Sequence, residues 1–504
     1  MEKTRVKWLF YSVIFSVLTI SRIQSSEILV IFPTTAQSHY RVVRPLIHGL
    51  LDRGHKILAI TNFPDDERSN LSHINIAGFK PHSKFYSHEN TIMKITTRLS
   101  DNVYKYAAIL DHPQVSNLLQ SGRKFDLVIV EYFTTTALFT PIATVVNAPI
   151  IGIAPMIVLP WTNEVMGQES IVMPYVSDVL NNSTTLESFG IRITNYLFWM
   201  FLNYPLSWIL NSKIQEMNEL HYGLRKKSIV QSMANLSMIL INNYPGVFLS
   251  TPRVPGIVDV AGIHVEDEKP LSQEFKNFIN NAHHGVILFS LGSVVSESLL
   301  AGDKLNNIMK TFSKLKQRII MKFDPENYNG TRLSNVKMVK WFPQRDLLAH
   351  PKVLLFVSHA GMMSAIETIH CGKPMVAIPI FGDQPLVANI LVEKQMAVTV
   401  EYEHLNGNQL FNAINEVLTE NYRNNAKNLQ QLYNDRPQSP LETAIYWTEY
   451  IIRNKNESHE LLKSPKIHLN FYQANLLDVF ATFCLPIIIS LFIIVWTKNR
   501  LNKY

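Results

Sequence analysis

The residue types best suited to chemistry are concentrated in one stretch, FVSHAGMMSAIETIHCGKPMVAIPIFGDQP, between Phe356 and Pro385. An apolar, strand-like run ends at His359, and small residues at 360–364 then open a predicted helix. Small residues allow the free backbone N–H groups of a helix start to approach an anion, and the helix dipole favours negative charge at that end. This arrangement is suited to binding a diphosphate.

Neighbouring side chains supply the other groups that a nucleotide-sugar would need. Glu367 is suited to accepting hydrogen bonds from ribose hydroxyls, and Trp341 offers a flat face on which a nucleobase can stack. Asp383 and Gln384 follow the next predicted strand and are suited to sugar hydroxyls. Each residue alone has a commoner structural use, as a core side chain or a solvated carboxylate. The ordered combination is what indicates the site.

The first half of the chain places an imidazole and a carboxylate in comparable positions. His39 follows the predicted strand 27–32, and Glu131 caps the predicted strand 125–130 at its carboxyl end. In open parallel sheets, ligands bind beyond the carboxyl ends of the strands. Asp126 lies at the beginning of its strand, the wrong end for a site, and is the alternative carboxylate partner for His39.

Several other classes of function are disfavoured. The chain has no Gly-Lys-Ser/Thr phosphate loop and no GxGxxG fingerprint, so nicotinamide chemistry is not expected. No cluster of His, Asp or Cys has a convincing metal-ligand spacing, and no metal site is predicted. The net charge is +7 and no Lys/Arg block is longer than three residues, so nucleic acid is not predicted as a partner.

The elements that must position these groups alternate between strands and helices, as in α/β proteins with parallel sheets. The pattern predicts two doubly wound α/β domains in tandem. The predicted strands are 27–32, 55–61, 125–130, 148–155, 285–293, 318–323, 336–342, 353–357, 374–380 and 396–402, and the predicted helices are 40–54, 301–315, 407–433 and 440–453.

Residues 160–245 break this alternation, because their aromatic residues recur at helical spacing. One interpretation is a helical insertion that covers an apolar pocket or packs on the core. The other is a segment that contacts the membrane surface or lines a site for a lipophilic ligand. The following stretch, 251–262, is rich in proline and glycine and is interpreted as a connection between domains.

Both ends of the chain indicate the secretory pathway. Residues 1–25 have a basic start and an apolar run too short to cross a bilayer comfortably, which is typical of a signal peptide. The uncharged run 479–496 spans roughly 27 Å as a helix, about one bilayer core. Because Lys498, Arg500 and Lys503 follow it, the short tail is predicted to be cytosolic and the main body lumenal.

Cysteine and asparagine usage agrees with this topology. The two cysteines, Cys371 and Cys484, cannot form a disulfide framework, and Cys371 is predicted to be an inert, packed thiol. Six asparagines occupy Asn-x-Ser/Thr sequons that a lumenal body would expose to glycosylation, namely Asn70, Asn181, Asn182, Asn235, Asn329 and Asn456.

The stretch from Phe356 to Gln384 resembles the signature of the UDP-glycosyltransferases. The matching residues are Ser358, His359, Gly361, Ser364, Glu367, Pro374, Pro379, Asp383 and Gln384, at the spacings of that signature. The likeness extends over nearly the whole chain. The segments FSLGS (289–293), KWFPQRDLLAHP (340–351) and DRPQSPLETAIYWTEYIIR (435–453), and the C-terminal span with its basic tail, resemble the animal, membrane-bound branch that includes the insect enzymes.

The resemblance implies a GT-B fold, with two Rossmann-like domains facing a cleft, and an inverting transfer of a hexose that gives a β-glycoside. The UDP-sugar would be a co-substrate, with no cofactor and no metal. Residence in the endoplasmic reticulum membrane, as a single-pass type I protein, is also implied. The implied segments are a signal peptide (1–25), an N-terminal domain for a small lipophilic acceptor (26–250), a C-terminal UDP-sugar domain (251–455), a linker (456–478), a transmembrane helix (479–496) and a cytosolic tail (497–504).

The family's functional residues carry over by position. His39, in the trio Ser38-His39-Tyr40, resembles the catalytic base, with Glu131 as its partner. At the nucleoside of the donor, Trp341 and Gln344 would contact uracil and Glu367 would contact the ribose. Ser290 and His359 would contact the diphosphate, with Gly361 and Ser364 in the helix start. Asp383 and Gln384 would contact the sugar.

The sequence departs from the family pattern at two places. Glu131 stands where an Asp is usual, and its side chain is longer by one methylene. Ala360 and Met363 stand where many relatives carry Gly and Asn, so one side-chain contact to phosphate is lost. Because of the departure at Glu131, the alternative function is a catalytically weak, lipophile-binding relative. UDP-glucose is favoured as donor over UDP-glucuronate, while the acceptor's identity and the formation of a homo-oligomer stay open.

Overall fold

The structure, a computed structural model, contains two sheets of parallel strands, each with associated helices, and a C-terminal apolar helix. The first 24 residues, which include most of the predicted signal peptide, lie outside the described residues. The structure describes residues 25–66, 68–78, 101–132, 136–156, 165–167, 188–201, 207–222, 236–248, 250–292, 300, 302–403, 405, 407–455 and 457–501.

The first sheet has seven parallel strands in the order β3-β2-β1-β4-β5-β6-β7. Its central strands are continuous apolar runs because helices cover both faces of the sheet. The strands are Glu27–Phe32 (β1), Lys56–Thr61 (β2), Leu71–Asn75 (β3), Leu127–Glu131 (β4), Ile150–Ala154 (β5), Leu236–Ile241 (β6) and Ile257–Asp259 (β7). The helices among them are Gln37–Asp52 (α1), Pro113–Gln120 (α2), Pro141–Val146 (α3), Phe189–Phe201 (α4) and Ser207–Tyr222 (α5).

The second sheet has six parallel strands in the order β10-β9-β8-β11-β12-β13. The strands are Val286–Ser290 (β8), Arg318–Lys322 (β9), Val336–Val339 (β10), Val353–Ser358 (β11), Met375–Ala377 (β12) and Ala397–Thr399 (β13). The associated helices are Gln273–Asn280 (α6), Asp303–Phe312 (α7), Gln344–Ala349 (α8), Met362–His370 (α9), Gln384–Glu393 (α10), Gly407–Val417 (α11), Glu420–Asn434 (α12) and Pro440–Arg453 (α13). The two-domain α/β prediction is confirmed.

Three strands of the first sheet were not predicted. The strand β6 lies inside the segment interpreted as a helical insertion, and α4 and α5 are the helices of that segment. In an apolar run of only six residues, the spacing of apolar residues cannot distinguish a buried strand from a buried helix. The strand β7 pairs with β6, so the first sheet extends past the predicted domain boundary between residues 250 and 251. The edge strand β3 is short and half polar.

Helix α13 returns from the second domain to pack on the first. Its Ala444 and Ile445 belong to the core cluster that also contains α1 and β1. A Cβ atom added at Gly49 of α1 would come within 2.6 Å of Ile445 Cδ1, so glycine allows the close approach of the two helices. Arg53, which follows α1, donates to Glu442 at 2.6 Å. The helix predicted at 407–433 is two helices, α11 and α12, whereas α13 matches its predicted range.

The chain ends in two short helices, Ser458–Leu461 (α14) and Phe471–Ala474 (α15), and one long helix, Leu477–Leu501 (α16). Among the described residues, α16 is the one helix long and apolar enough to cross a membrane, and its most apolar window has a mean hydropathy of 2.6. None of that window is buried against the protein. The helix continues through Pro486.

Candidate active site

His39 and Glu131 meet at the carboxyl edge of the first sheet. Helix α1 begins at Gln37, three residues earlier than predicted, so His39 lies in its first turn. The Nδ1 atom of His39 lies 2.8 Å from Oε1 of Glu131, the last residue of β4. The Glu131 side chain is 1% exposed and that of His39 is 22% exposed. A buried carboxylate therefore orients an imidazole whose other face is open to the cleft.

Asp126 is held elsewhere. It precedes β4, and its Oδ2 accepts a hydrogen bond from the backbone N–H of Glu27 at 3.0 Å. Its Oδ1 lies 3.3 Å from the ammonium of Lys455. The structure therefore places Glu131 against His39 and Asp126 at the far end of the same strand.

His359 follows β11 and is enclosed by two glycines. A Cβ atom at either Gly292 or Gly361 would lie 2.6 Å from its Nε2 atom, so any larger residue would displace the ring. Burial, together with the nearby charge of Lys322, lowers the pKa of His359 to about 4. The imidazole is therefore neutral near pH 7, and one ring nitrogen can donate a hydrogen bond to an anion without carrying a charge.

The start of α9 differs from the expected phosphate loop in its backbone and in one side chain. Ala360 has φ of 59°, a left-handed conformation in which a Cβ atom is strained and glycine is not. Met363 Sδ lies 3.2 Å from the amide nitrogen of Asn242, and the Met363 carbonyl lies 3.3 Å from His264 Nε2. Met363 thus contacts the first domain across the cleft.

A hydrogen-bonded carboxylate lies one turn further along α9. The amide nitrogen of Gln344 donates to Glu367 Oε2 at 2.7 Å and to Ser364 Oγ at 3.2 Å. Burial raises the pKa of Glu367, whereas the charge of Arg41 and the Gln344 hydrogen bond oppose that rise. These contacts bring Gln344, Ser364 and Glu367 together as the sequence predicts, and they leave the carboxylate able to accept further hydrogen bonds from hydroxyls.

Trp341 lies on the wall of the cleft and not in the core. Its side chain is 46% exposed. Two cations contact the ring, with Lys322 Nζ 4.6 Å and Arg41 Cζ 5.1 Å from its centroid. An exposed indole at this position is suited to stacking with a flat ring.

The segment after β12 places a carboxyl and an amide in the same cleft. Burial raises the pKa of Asp383 to about 6, opposed by backbone N–H groups of Asp383 and Met362 and by the nearby His39 imidazole. Gln384 is 4% exposed, and its Oε1 accepts from the N–H groups of Ile380 and Phe381 at 2.8 and 3.1 Å. Its carbonyl oxygen is thus used by the loop, and the amide NH₂ is what Gln384 offers to a ligand.

One cavity of ≈ 160 Å³ contains these groups. All of the predicted site residues except Glu131 line this cavity, namely His39, Ser290, Trp341, Gln344, His359, Gly361, Ser364, Glu367, Asp383 and Gln384. Glu131 lies behind His39 and does not line it. Ser290 is 2% exposed, and its Oγ accepts from the Gly292 N–H at 3.2 Å. In the described part of the chain, no group of three or more His, Cys, Asp or Glu could hold a metal ion.

Two cations of the cavity were missed by the sequence reasoning. Lys322 is the last residue of β9, and its ammonium donates to the Gly292 carbonyl at 2.9 Å. Lys322 fits the strand-end rule, because it is the last residue of a buried strand. Arg41 lies on α1, and no local pattern in the sequence marks its reach across the cleft.

The arrangement can therefore deprotonate a hydroxyl beside a site for an anion, a flat ring and vicinal hydroxyls. Cys371, near Glu367, plays no visible part in this chemistry. Burial raises the pKa of its thiol to about 11, which agrees with the predicted inert thiol.

Comparisons with known proteins give the following similarities. A family model described as "UDP-glucoronosyl and UDP-glucosyl transferase" matches residues 53–503. UDP-glucosyltransferase 2 of Dactylopius coccus is 33% identical over 489 residues, which is 94% of this chain and 93% of the relative. UDP-glucuronosyltransferase 2B1 of Rattus norvegicus is 32% identical over 324 residues, which is 64% of this chain and 60% of the relative.

The fold is also found among solved structures. A UDP-glucosyltransferase from Polygonum tinctorium that glucosylates indoxyl superposes with a TM-score of 0.56 at 14% identity, over 85% of this chain and 99% of that one. At this identity the likeness concerns the fold alone. It agrees with the GT-B arrangement of two Rossmann-like domains.

Proposed function

The chain belongs to the UDP-glucoronosyl and UDP-glucosyl transferase family, and from this premise we propose that it is an inverting glucosyltransferase acting on small lipophilic hydroxyl compounds. Transfer of a sugar from a UDP-sugar is the activity of the family. The observation that carries the finer proposal is the 2.8 Å contact between His39 Nδ1 and Glu131 Oε1, beside a cavity that also contains His359 and Asp383.

The catalytic step follows from the hydrogen-bonding capacities of this pair. An ionised carboxylate can only accept, so Nδ1 of His39 carries the proton that is donated to Glu131. In that tautomer Nε2 carries no proton and can accept one from an acceptor hydroxyl. The hydroxyl oxygen attacks the anomeric carbon as the bond to UDP breaks on the opposite face, so an α-linked donor gives a β-glycoside. General-base catalysis of this kind contributes about 10²–10⁴-fold to the rate.

The departing UDP is stabilised by groups of the second domain. Lys322 supplies a positive charge, the neutral His359 supplies a hydrogen bond, and the start of α9 supplies backbone N–H groups. On this proposal no metal is needed for the leaving group. Retained activity in EDTA supports it, and a loss that Mn²⁺ restores would contradict it.

Glucose is favoured over glucuronate by the charges at the sugar end of the cavity. The described residues that line the cavity include Asp383, the residue expected at the sugar, and the neutral side chains of Met156, Met362 and Phe381. A glucuronate carboxylate here would lie near another carboxyl and away from the two permanent cations of the cavity, which are at the Trp341 ring. The contact between His39 and Glu131 argues against the lipophile-binding alternative, because Glu131 reaches His39 despite the added methylene.

A membrane-anchored lumenal protein is proposed on separate grounds. The exposed α16 is long enough to span a bilayer, and basic residues follow its apolar part. Asn329 is exposed and available for glycosylation. Asn70 is a poor site, because its amide nitrogen donates to the carbonyls of Leu51 and His55. The other four sequons lie outside the described residues.

The decisive experiment measures UDP release with a panel of UDP-sugars and one planar phenol, for the wild type and for His39→Ala. The expected result is turnover with UDP-glucose, a loss of about 10²–10⁴-fold in His39→Ala, and unchanged UDP binding in that variant. If His39→Ala keeps more than about half of the wild-type rate, His39 is not the base. Faster turnover with UDP-glucuronate would reverse the order of donors.

A further inference from the structure

Arg41 belongs to the first domain but reaches the donor half of the cleft. It lies on α1 two residues after His39, and its Cζ is 5.1 Å from the centroid of the Trp341 ring. It lines the cavity of the active site and also an adjoining cavity of ≈ 630 Å³. The two cavities share Trp341, Gln344 and Glu367, so Arg41 stands where the groups suited to a nucleoside meet the first domain.

The next arginine of the same helix, Arg44, forms ion pairs with carboxylates, unlike Arg41 among the described residues. Arg44 Nε lies 2.5 Å from Asp65 Oδ1, and its Nη1 lies 3.6 Å from Glu266 Oε1. Within the described part of the chain, Arg41 makes no comparable hydrogen bond or ion pair, and its one close contact is the face of Trp341. Its N–H donors are therefore available to a ligand that stacks nearby.

The charge of Arg41 also acts on Glu367. Burial raises the pKa of that carboxyl, and Arg41 is the first of the charges that oppose the rise. Arg345 acts in the same direction and Asp346 in the opposite one, while Gln344 donates a hydrogen bond. Arg41 thus favours the ionised Glu367, the form that accepts hydrogen bonds from two ribose hydroxyls.

We propose that Arg41 is a donor-binding residue supplied by the acceptor domain, where its guanidinium hydrogen-bonds the nucleoside of the UDP-sugar at the Trp341 face. This inference rests on the proposed function. A nucleoside held from both sides links the two domains.

The test compares UDP binding and steady-state kinetics for Arg41→Ala, Arg41→Gln and Arg44→Ala. Loss of a hydrogen bond to a charged group weakens binding by about 10-fold or more. Both Arg41 variants should therefore raise Kd for UDP and KM for UDP-glucose by that factor, with kcat within about threefold. Arg44→Ala removes an arginine from the same helix and should leave both constants within about twofold.

A pH series separates ligand binding from a structural role. Without the Arg41 charge, Glu367 gains its proton at higher pH, so UDP-glucose affinity should fall earlier as the pH is lowered. The other groups that act on Glu367 are Arg345, Asp346 and Gln344, and they are the same in every variant. Arg41→Lys retains the charge and should restore the wild-type pH profile while recovering only part of the affinity.

Each outcome decides between the claims. If the wild type binds UDP and both Arg41→Ala and Arg41→Gln bind it within twofold, the inference is wrong. Tighter binding by these variants also overturns it, because Arg41 would then only cover the indole face. If the wild type itself fails to bind UDP, the proposed function fails. Arg41→Gln has nearly the native volume and serves if Arg41→Ala does not fold.

Discussion

The Nδ1 atom of His39 lies 2.8 Å from Oε1 of Glu131, although this carboxylate is one methylene longer than the Asp usual in the family. Glu131 is the last residue of β4 and is buried. Its other oxygen, Oε2, has no hydrogen-bond partner among the described residues. Among the described residues the imidazole is therefore the one hydrogen-bond partner of this carboxylate, and an ionised carboxylate favours the tautomer that has its proton on Nδ1.

The first prediction concerns this pair. Glu131→Gln should lower kcat by about 10²-fold or more, because an amide can donate to Nδ1 and stabilise the wrong tautomer of His39. Donor affinity should change little, because Glu131 lies outside the donor cavity. The measurement is kcat with saturating UDP-glucose, beside the Kd of UDP.

Asp126→Asn is the matched control, since Asp126 lies at the opposite end of β4 and contacts Glu27 and Lys455. It should retain nearly the full rate. A silent Glu131→Gln together with an inactive Asp126→Asn would move the assignment to Asp126.

The second prediction is a pH dependence of donor binding. Burial raises the pKa of Asp383 to about 6, so this carboxyl is ionised at pH 7.5 and becomes protonated as the pH falls through 6. The protonated form is a weaker acceptor for sugar hydroxyls. The Kd of UDP-glucose should therefore rise as the pH is lowered from 7 to 5.

Asp383→Asn should bind UDP-glucose more weakly at pH 7.5 and should lose this part of the pH dependence. The comparison uses UDP-glucose for both proteins, because UDP itself has a phosphate that titrates in the same range. Identical pH profiles for the two proteins would rule out Asp383 as the titrating group.

The strand-end reasoning selected many of the residues that line the candidate cavity, because parallel strands bring their carboxyl ends to one edge. His359 and Glu131 are examples, since each follows a buried apolar run. Lys322 fits the same rule and was overlooked. Arg41 could not be found in this way, since its position depends on how the two domains face each other across the cleft, which is a tertiary property.

The fold was predicted less completely at its edges than at its centre. Strands such as β1 and β11 are long apolar runs bounded by turns, and their ranges agree closely with prediction. The three-residue β7 has too short a pattern to be recognised. Helix α13 packs on the first domain through the contact between Gly49 and Ile445. No local sequence pattern around either residue predicts this contact.

The third prediction concerns the strained backbone at the start of α9. Ala360 has φ of 59°, a conformation that costs a residue with a Cβ atom roughly 1–2 kcal/mol relative to glycine. Ala365 is equally buried but lies in the interior of α9. Changing either alanine to glycine raises the conformational entropy of the unfolded chain by the same amount. The difference in stability between the two variants therefore reflects the native state.

Ala360→Gly should unfold at or above the wild-type temperature, whereas Ala365→Gly should unfold below it. A helix-interior glycine costs about 1 kcal/mol, which corresponds to a shift of about 2–4 °C. The measurement is the apparent Tm of the purified protein in detergent. If Ala360→Gly melts below Ala365→Gly, the positive φ is not a source of strain.

The last prediction concerns the membrane anchor and depends least on the family. The full-length protein should resist carbonate extraction, because α16 is apolar, exposed and long enough to cross a bilayer. Protease added from the cytosolic side should remove a tag placed after Tyr504. Truncation at Asn475 should remove this integral behaviour.

The truncated body should still bind membranes weakly, because α4 and α5 expose large apolar side chains that can lie in the interface. Those with the greatest exposure are Phe189, Leu197, Trp208 and Leu220. Carbonate should strip this association, and replacing Leu197 and Trp208 with serine in the truncated protein should weaken it further. Carbonate resistance of the truncated protein would instead require a second membrane segment, and the single-pass topology would then be wrong.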